Sequence, residues 1–166
     1  MQTRKGLSWF RDTGYAQLIE EIDKTEGSKP IAVIFNLGVN DLGNAGNYVS
    51  YMTSIASTLK SKNCKLFYMS VNPINSTMIT KAGRGARTEA QVREFNSKIR
   101  SGLSLDYKYI DMYSVLMKKG YGTNASYNGT DADSDDGLHY TTKTFKRIYY
   151  YCITYLNTGS INASYY

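Results

Sequence analysis

The chain has 166 residues, 42% of them hydrophobic and 20% charged, with a mean hydropathy of -0.43. That composition excludes a disordered or collagen-like chain and suits one domain, 1–166, large enough to bury a core. Twenty Lys and Arg against 14 Asp and Glu give a net charge of +6, spread along the sequence rather than gathered as a nucleic-acid footprint would be.

The first ten residues offer only a stub, Gln2 to Gly6, where an α/β domain ordinarily opens with a complete strand. The basic start, Met1 to Lys5, lacks the apolar stretch that would make it a secretory signal. Tyr15, Leu18, Ile19 and Ile22 then follow helical spacing, predicting a first helix from near Asp12. Ile31 to Leu37 reads as a strand buried on both faces, being rich in β-branched and apolar residues. Its apolar run, Ile31 to Phe35, is far short of the ~20 residues that span a bilayer, so no membrane span is expected.

Tyr48, Tyr51, Met52, Ile55 and Leu59 predict a second helix, and Lys65 to Val71 a second strand. Val92, Phe95 and Ile99 mark a third helix with Thr88 as its N-cap. Tyr107 to Met112 is a third strand. Phe145, Ile148, Tyr149, Cys152, Ile153 and Leu156 mark the last helix, capped by Thr141 or Thr142 and ended by Asn157 to Gly159. Segments 72–85 and 118–137 read as long loops. The alternation of helix and strand predicts an α/β fold with a mostly parallel sheet.

The densest basic stretch holds Lys81, Arg84, Arg87, Arg93, Lys98 and Arg100, and reads as a solvated loop and an outer helix face. Cys64 and Cys152 form no CxxC and no metal spacing; they read as two buried thiols, with pairing left open. His139 is the only histidine, and no spacing supplies it with partners for a metal. Asp131 to Gly137 resembles an EF-hand loop only faintly: its glycine falls one place late and Thr142 stands where a bidentate Glu belongs. No metal or cofactor is expected. The sixteen tyrosines read as packing groups.

Two segments carry chemistry. Gly38-Val39-Asn40-Asp41 follows the most buried strand, at the carboxyl edge where open α/β sheets bind ligands. The Asn40 amide is a neutral donor suited to an oxyanion, although Asn-Asp is also an ordinary turn and helix cap. Asp136-Gly137-Leu138-His139 precedes the last helix. Its carboxylate can accept the imidazole Nδ1–H and leave Nε2 as a general base, although an Asp–His pair also suits a helix cap.

Taken together, these segments resemble the SGNH/GDSL hydrolase superfamily. Gly38 to Asp41 matches its Gly-x-Asn-Asp block and Asp136 to His139 its Asp-x-x-His block. The resemblance implies a three-layer, flavodoxin-like α/β/α fold and hydrolysis of an acyl or acetyl ester, on a carbohydrate or lipid, without metal. It implies His139 as base, Asp136 as its orienter, and Asn40 with the Gly6 N–H as oxyanion donors. The family's Gly-Asp-Ser nucleophile block has no counterpart, and Ser8 and Ser70 are substitutes by residue type alone. The first strand of the fold is expected to be missing with it. Three repairs follow: the stub pairs with the strand at 31–37, a second copy supplies the pairing, or a complementing N-terminal segment does. The rival expectation is a binding module that lacks the nucleophile, holding a ligand with Asn40, Tyr121 and Tyr127.

Overall fold

The computed structural model describes residues 5–25, 27–121 and 136–161. The fold is mixed α/β, with a small open sheet of three parallel strands. A helical segment opens the described chain. It runs from α1 (Leu7–Trp9) through a π-helical stretch (Phe10–Gly14) into α2 (Tyr15–Lys24). There follow β1 (Ile31–Phe35), α3 (Ala45–Ser61), β2 (Cys64–Met69), α4 (Ser76–Lys81), α5 (Glu89–Gly102), β3 (Tyr107–Ile110), α6 (Met112–Lys118) and α7 (Thr142–Thr158). The sheet order is β1-β2-β3, and β1 pairs in parallel with β2 in the register Ile31↔Cys64 to Phe35↔Tyr68.

The chain divides into two compact units, residues 1–69 with 94–109, and residues 70–93 with 110–166. In the first, α3 buries Tyr48, Met52, Ile55, Ala56 and Leu59, the face its spacing predicts. Phe10 packs edge-on against Phe35 and Tyr51. The Tyr107 hydroxyl donates to the Met52 carbonyl at 2.7 Å, so a buried aromatic keeps its polar tip satisfied. Asn63 adopts the left-handed conformation in the short α3–β2 connection, a role Asn tolerates better than most residues. Cys64, in this unit, and Cys152, in the other, are buried free thiols.

In the second unit, the Ser70 N–H donates to the Ile110 carbonyl. Glu89 joins two segments: its carboxylate accepts from the Ile74 N–H and from the Tyr113 hydroxyl. The core of the unit includes Ile74, Ile79, Val92, Ile110, Met112, Leu116, Ile148 and Tyr151.

Several elements differ from the sequence reading. The first helical segment starts at Leu7, before the apolar periodicity begins, with the Gly6 carbonyl accepting its first helical hydrogen bond. Residues 72–85 contain α4, capped by the Asn75 side chain on the Met78 N–H. Strand β3 ends at Ile110, and Asp111 caps α6 through the Ser114 N–H. Both helices are too short for periodicity to reveal. Helix α7 buries Thr144, Ile148, Tyr151 and Cys152, whereas Phe145, Tyr149 and Ile153 of the predicted stripe are exposed. Among the described residues, no helix is long and apolar enough to cross a membrane.

Candidate active site

The two chemical segments lie in different units, Gly6 and Asn40 in the first and Asp136 and His139 in the second. Each pair is assembled within its own unit, and each depends on a glycine.

In the first unit, β1 ends at Phe35 and the chain turns at Gly38, where φ is +124° and a Cβ would lie 2.3 Å from the Phe95 ring. Only glycine fits that conformation and that gap. The turn closes with the Asp41 N–H donating to the Gly38 carbonyl at 2.8 Å. Asn40 then donates from Nδ2 to the Lys5 carbonyl at 3.1 Å. Asp41 is the anchor of the segment. Its Oδ2 accepts from the Leu7 N–H at 2.7 Å and from the Tyr48 hydroxyl at 2.9 Å. Burial, and then this bond to a carboxylate, push the Tyr48 hydroxyl far above its ordinary range. Gly6 is packed so closely that a Cβ there would meet the Asp41 carboxylate.

Gly6 and Asn40 are therefore neighbours through the Lys5–Gly6 peptide. A trans peptide points its C=O and its N–H in opposite directions. With the Lys5 carbonyl turned to Asn40, the Gly6 N–H is turned away from it, and among the described residues that N–H has no hydrogen-bond partner. The same contact explains why the sequence could not show the pairing: 35 residues separate donor and acceptor.

In the second unit, Asp136 and His139 are brought together as their spacing predicts. His139 Nδ1 lies 2.7 Å from Asp136 Oδ2. The other carboxylate oxygen, Oδ1, accepts from the N–H groups of Leu138 at 2.9 Å and His139 at 2.8 Å. Gly137 permits this turn, with φ +80° and its missing Cβ replaced by the close approach of the Asn75 carbonyl. The turn is tied down by the Asn75 N–H donating to the Gly137 carbonyl at 2.8 Å, and by the Tyr140 hydroxyl on the Pro73 carbonyl. Burial alone would raise the Asp136 carboxyl. The hydrogen bonds from His139 and Leu138 outweigh it and hold the group at about 2, so it is ionised at neutral pH. The imidazole itself is 60% exposed while the carboxylate is 9% exposed. An ionised, oriented acceptor behind an accessible ring is what a general base requires.

Sequence reasoning missed Arg84. Its Nε donates to Asp136 Oδ2 at 2.8 Å, on the oxygen that also faces His139. The basic stretch 81–100 is thus not uniformly solvated. Arg87 is buried and donates to the Arg84 carbonyl, while Lys98 pairs with Glu94 on α5.

The two substitute serines differ. Ser8 is exposed and borders a cleft of about 510 Å³ with Arg11, Asn47 and Tyr51. Ser70 is fully buried, and its Oγ accepts from the Tyr113 N–H at 2.7 Å, which makes it part of the start of α6. Tyr121 is also buried, with its hydroxyl accepting from Arg147 at 2.6 Å, so it is not a loop residue open to a ligand. Tyr127 and residues 131–135 of the acidic loop lie outside the described residues. Among the described residues, no cluster of His, Cys, Asp and Glu could hold a metal ion. The chain matches no protein-family model and no curated protein sequence.

Proposed function

We propose that the chain carries the acid–base and oxyanion groups of an SGNH/GDSL-type hydrolase acting on an acyl or acetyl ester of a carbohydrate or lipid. On this reading the three parallel strands are part of a flavodoxin-like α/β/α sheet. His139 takes the proton of the attacking hydroxyl on Nε2 and returns it to the leaving alkoxide. Asp136 holds the ring by Nδ1 and stabilises the imidazolium. The Gly6 N–H and the Asn40 amide are the donors for the oxyanion. The observation that carries the reading is the 2.7 Å contact between His139 Nδ1 and a carboxylate held ionised by two backbone N–H groups.

The test is hydrolysis of p-nitrophenyl acetate. His139→Ala is expected to lose about 10²–10⁴-fold in rate, and Asn40→Ala about 10²–10³-fold. Hydrolysis that is unchanged in His139→Ala would remove the assignment.

A second reading is favoured by Ser70, whose Oγ is buried and already hydrogen-bonded. With no Gly-Asp-Ser block in the sequence, the same groups would serve a ligand-binding module. A fluorophosphonate probe separates the two. Covalent labelling of a serine in this chain supports the hydrolase; saturable binding of an acetylated sugar without labelling or turnover supports the module.

A further inference from the structure

We infer that Arg84 is a positioning residue for the Asp136–His139 pair, fixing the carboxylate and offsetting its charge behind the imidazole. The inference rests on the reading of His139 as a base oriented by Asp136.

The geometry is specific. Asp136 Oδ2 receives two donors, His139 Nδ1 at 2.7 Å and Arg84 Nε at 2.8 Å, while Oδ1 receives the N–H groups of Leu138 and His139. A carboxylate offers about four acceptor directions, and here all four are taken. Such a group has no rotation left that would not break a hydrogen bond. The arginine is itself held in place. Its N–H donates to the Ile79 carbonyl at 3.1 Å, and its carbonyl accepts from Arg87 Nη1 at 2.8 Å. Gly83 and Gly85 on either side are both left-handed, with φ +63° and +83°, so the loop bends sharply around it. Arg87 is 8% exposed, which makes it a fixed strut rather than a drifting surface charge.

The charge arithmetic gives Arg84 a second effect. With the imidazole neutral, Asp136 and Arg84 sum to zero. Protonation of the ring then adds a positive charge beside the guanidinium, which opposes the attraction of Asp136. Arg84 thereby offsets the charge of the carboxylate behind the imidazole. Among the described residues, the other charged side chains of the adjoining segments include Lys81 at the end of α4, Arg87, and Lys143 in the first turn of α7. These three are positive and act in the same direction as Arg84.

His139 is the only histidine in the chain, so its ring signals can be followed by NMR without assignment ambiguity and without substrate. In Arg84→Gln the midpoint of the His139 titration should rise by about 0.5–1 unit. Arg84→Lys keeps the charge and should return it toward the wild-type value. Arg84→Met, an uncharged stem, repeats the measurement should Arg84→Gln fold poorly. An unchanged midpoint in the uncharged variants, or an equal rise in Arg84→Lys, overturns the inference. Asp136→Asn supplies the separate check on the pair itself. A lowered midpoint there with no response to Arg84 substitution overturns the role of Arg84 alone. An unchanged midpoint in Asp136→Asn overturns the pair and the inference with it.

Discussion

Gly6 and Asp41 occupy each other's space: a Cβ built on residue 6 would lie 2.1 Å from Asp41 Oδ2. The carboxylate cannot readily retreat, because the same oxygen accepts from the Leu7 N–H and from the buried Tyr48 hydroxyl. The absence of a side chain at residue 6 is what lets an acid from the β1–α3 loop reach the start of the first helix. That contact, rather than any backbone torsion, is why glycine stands at this position.

Gly6→Ala is therefore expected to destabilise the protein by about 1–3 kcal/mol through overpacking. The cost should be non-additive with Asp41→Ala, since the second substitution removes the atoms that clash. Urea unfolding of the two single variants and the double variant measures this. A fully additive double variant would mean that residue 6 is constrained by something other than Asp41.

The Asp136 carboxyl makes stability depend on acid pH. Its value falls from an ordinary 3.8 to about 2 in the folded chain. A group lowered in this way stabilises the fold fully above its unfolded value, and the contribution is lost as pH falls from there through about 2. The sign is thus a loss on acidification, of about 2 kcal/mol. Asp136→Asn should be less stable than wild type at pH 6, with the difference shrinking between pH 4 and pH 2. A difference that stayed constant over that range would show that the carboxylate's charge contributes nothing.

Ser70→Ala separates structure from chemistry at the end of β2. The substitution leaves the Tyr113 N–H, the donor at 2.7 Å, without its acceptor. The serine is fully buried, so about 1–3 kcal/mol of stability should be lost. Any ester hydrolysis per folded molecule should be unchanged. A variant that is stable but inactive would instead make Ser70 the nucleophile.

Much of this arrangement was legible in the sequence, but unevenly. Thr88 and Gln91 form a reciprocal cap on α5, the Thr88 Oγ1 accepting from the Gln91 N–H and the Gln91 side chain accepting from the Thr88 N–H. The apolar spacing of Val92, Phe95 and Ile99 fixes the buried face behind it. Such signals are local, and local physics decides them. The Asp136–His139 contact spans three residues and was readable for the same reason. Arg84 lies 52 residues from Asp136; in sequence it is one charge in a basic run, and nothing marks it as the one with a buried partner. The α7 stripe was misread for a related reason. Tyrosines lie all around that helix, so periodicity alone could not separate Tyr151, which is buried, from Tyr149, which is exposed.

The orientation of β1 supports a proline test of its two edges. The Ile31 N–H donates to the Asn63 carbonyl, and main-chain groups alternate along a strand. Ile31, Val33 and Phe35 therefore face β2, while the N–H groups of Ala32 and Ile34 point the other way. Among the described residues no strand pairs with that outer edge, since β1 ends the order β1-β2-β3. Proline is tolerated in strands where its missing N–H faces outward, and it breaks a ladder where it does not. Ala32→Pro should then cost little, while Val33→Pro should cost about 3 kcal/mol or more, both read by thermal or urea unfolding. Light scattering on the same variants addresses pairing with a second copy or a complementing segment. Should wild type run above its chain mass of 18.7 kDa and Ala32→Pro run at that mass, the outer edge of β1 is the contact between chains. Should both run as single chains with Ala32→Pro equally stable, that edge is free of partners. A severe loss of stability in a monomeric Ala32→Pro would show instead that the edge is paired within the chain, by the segment that precedes Lys5.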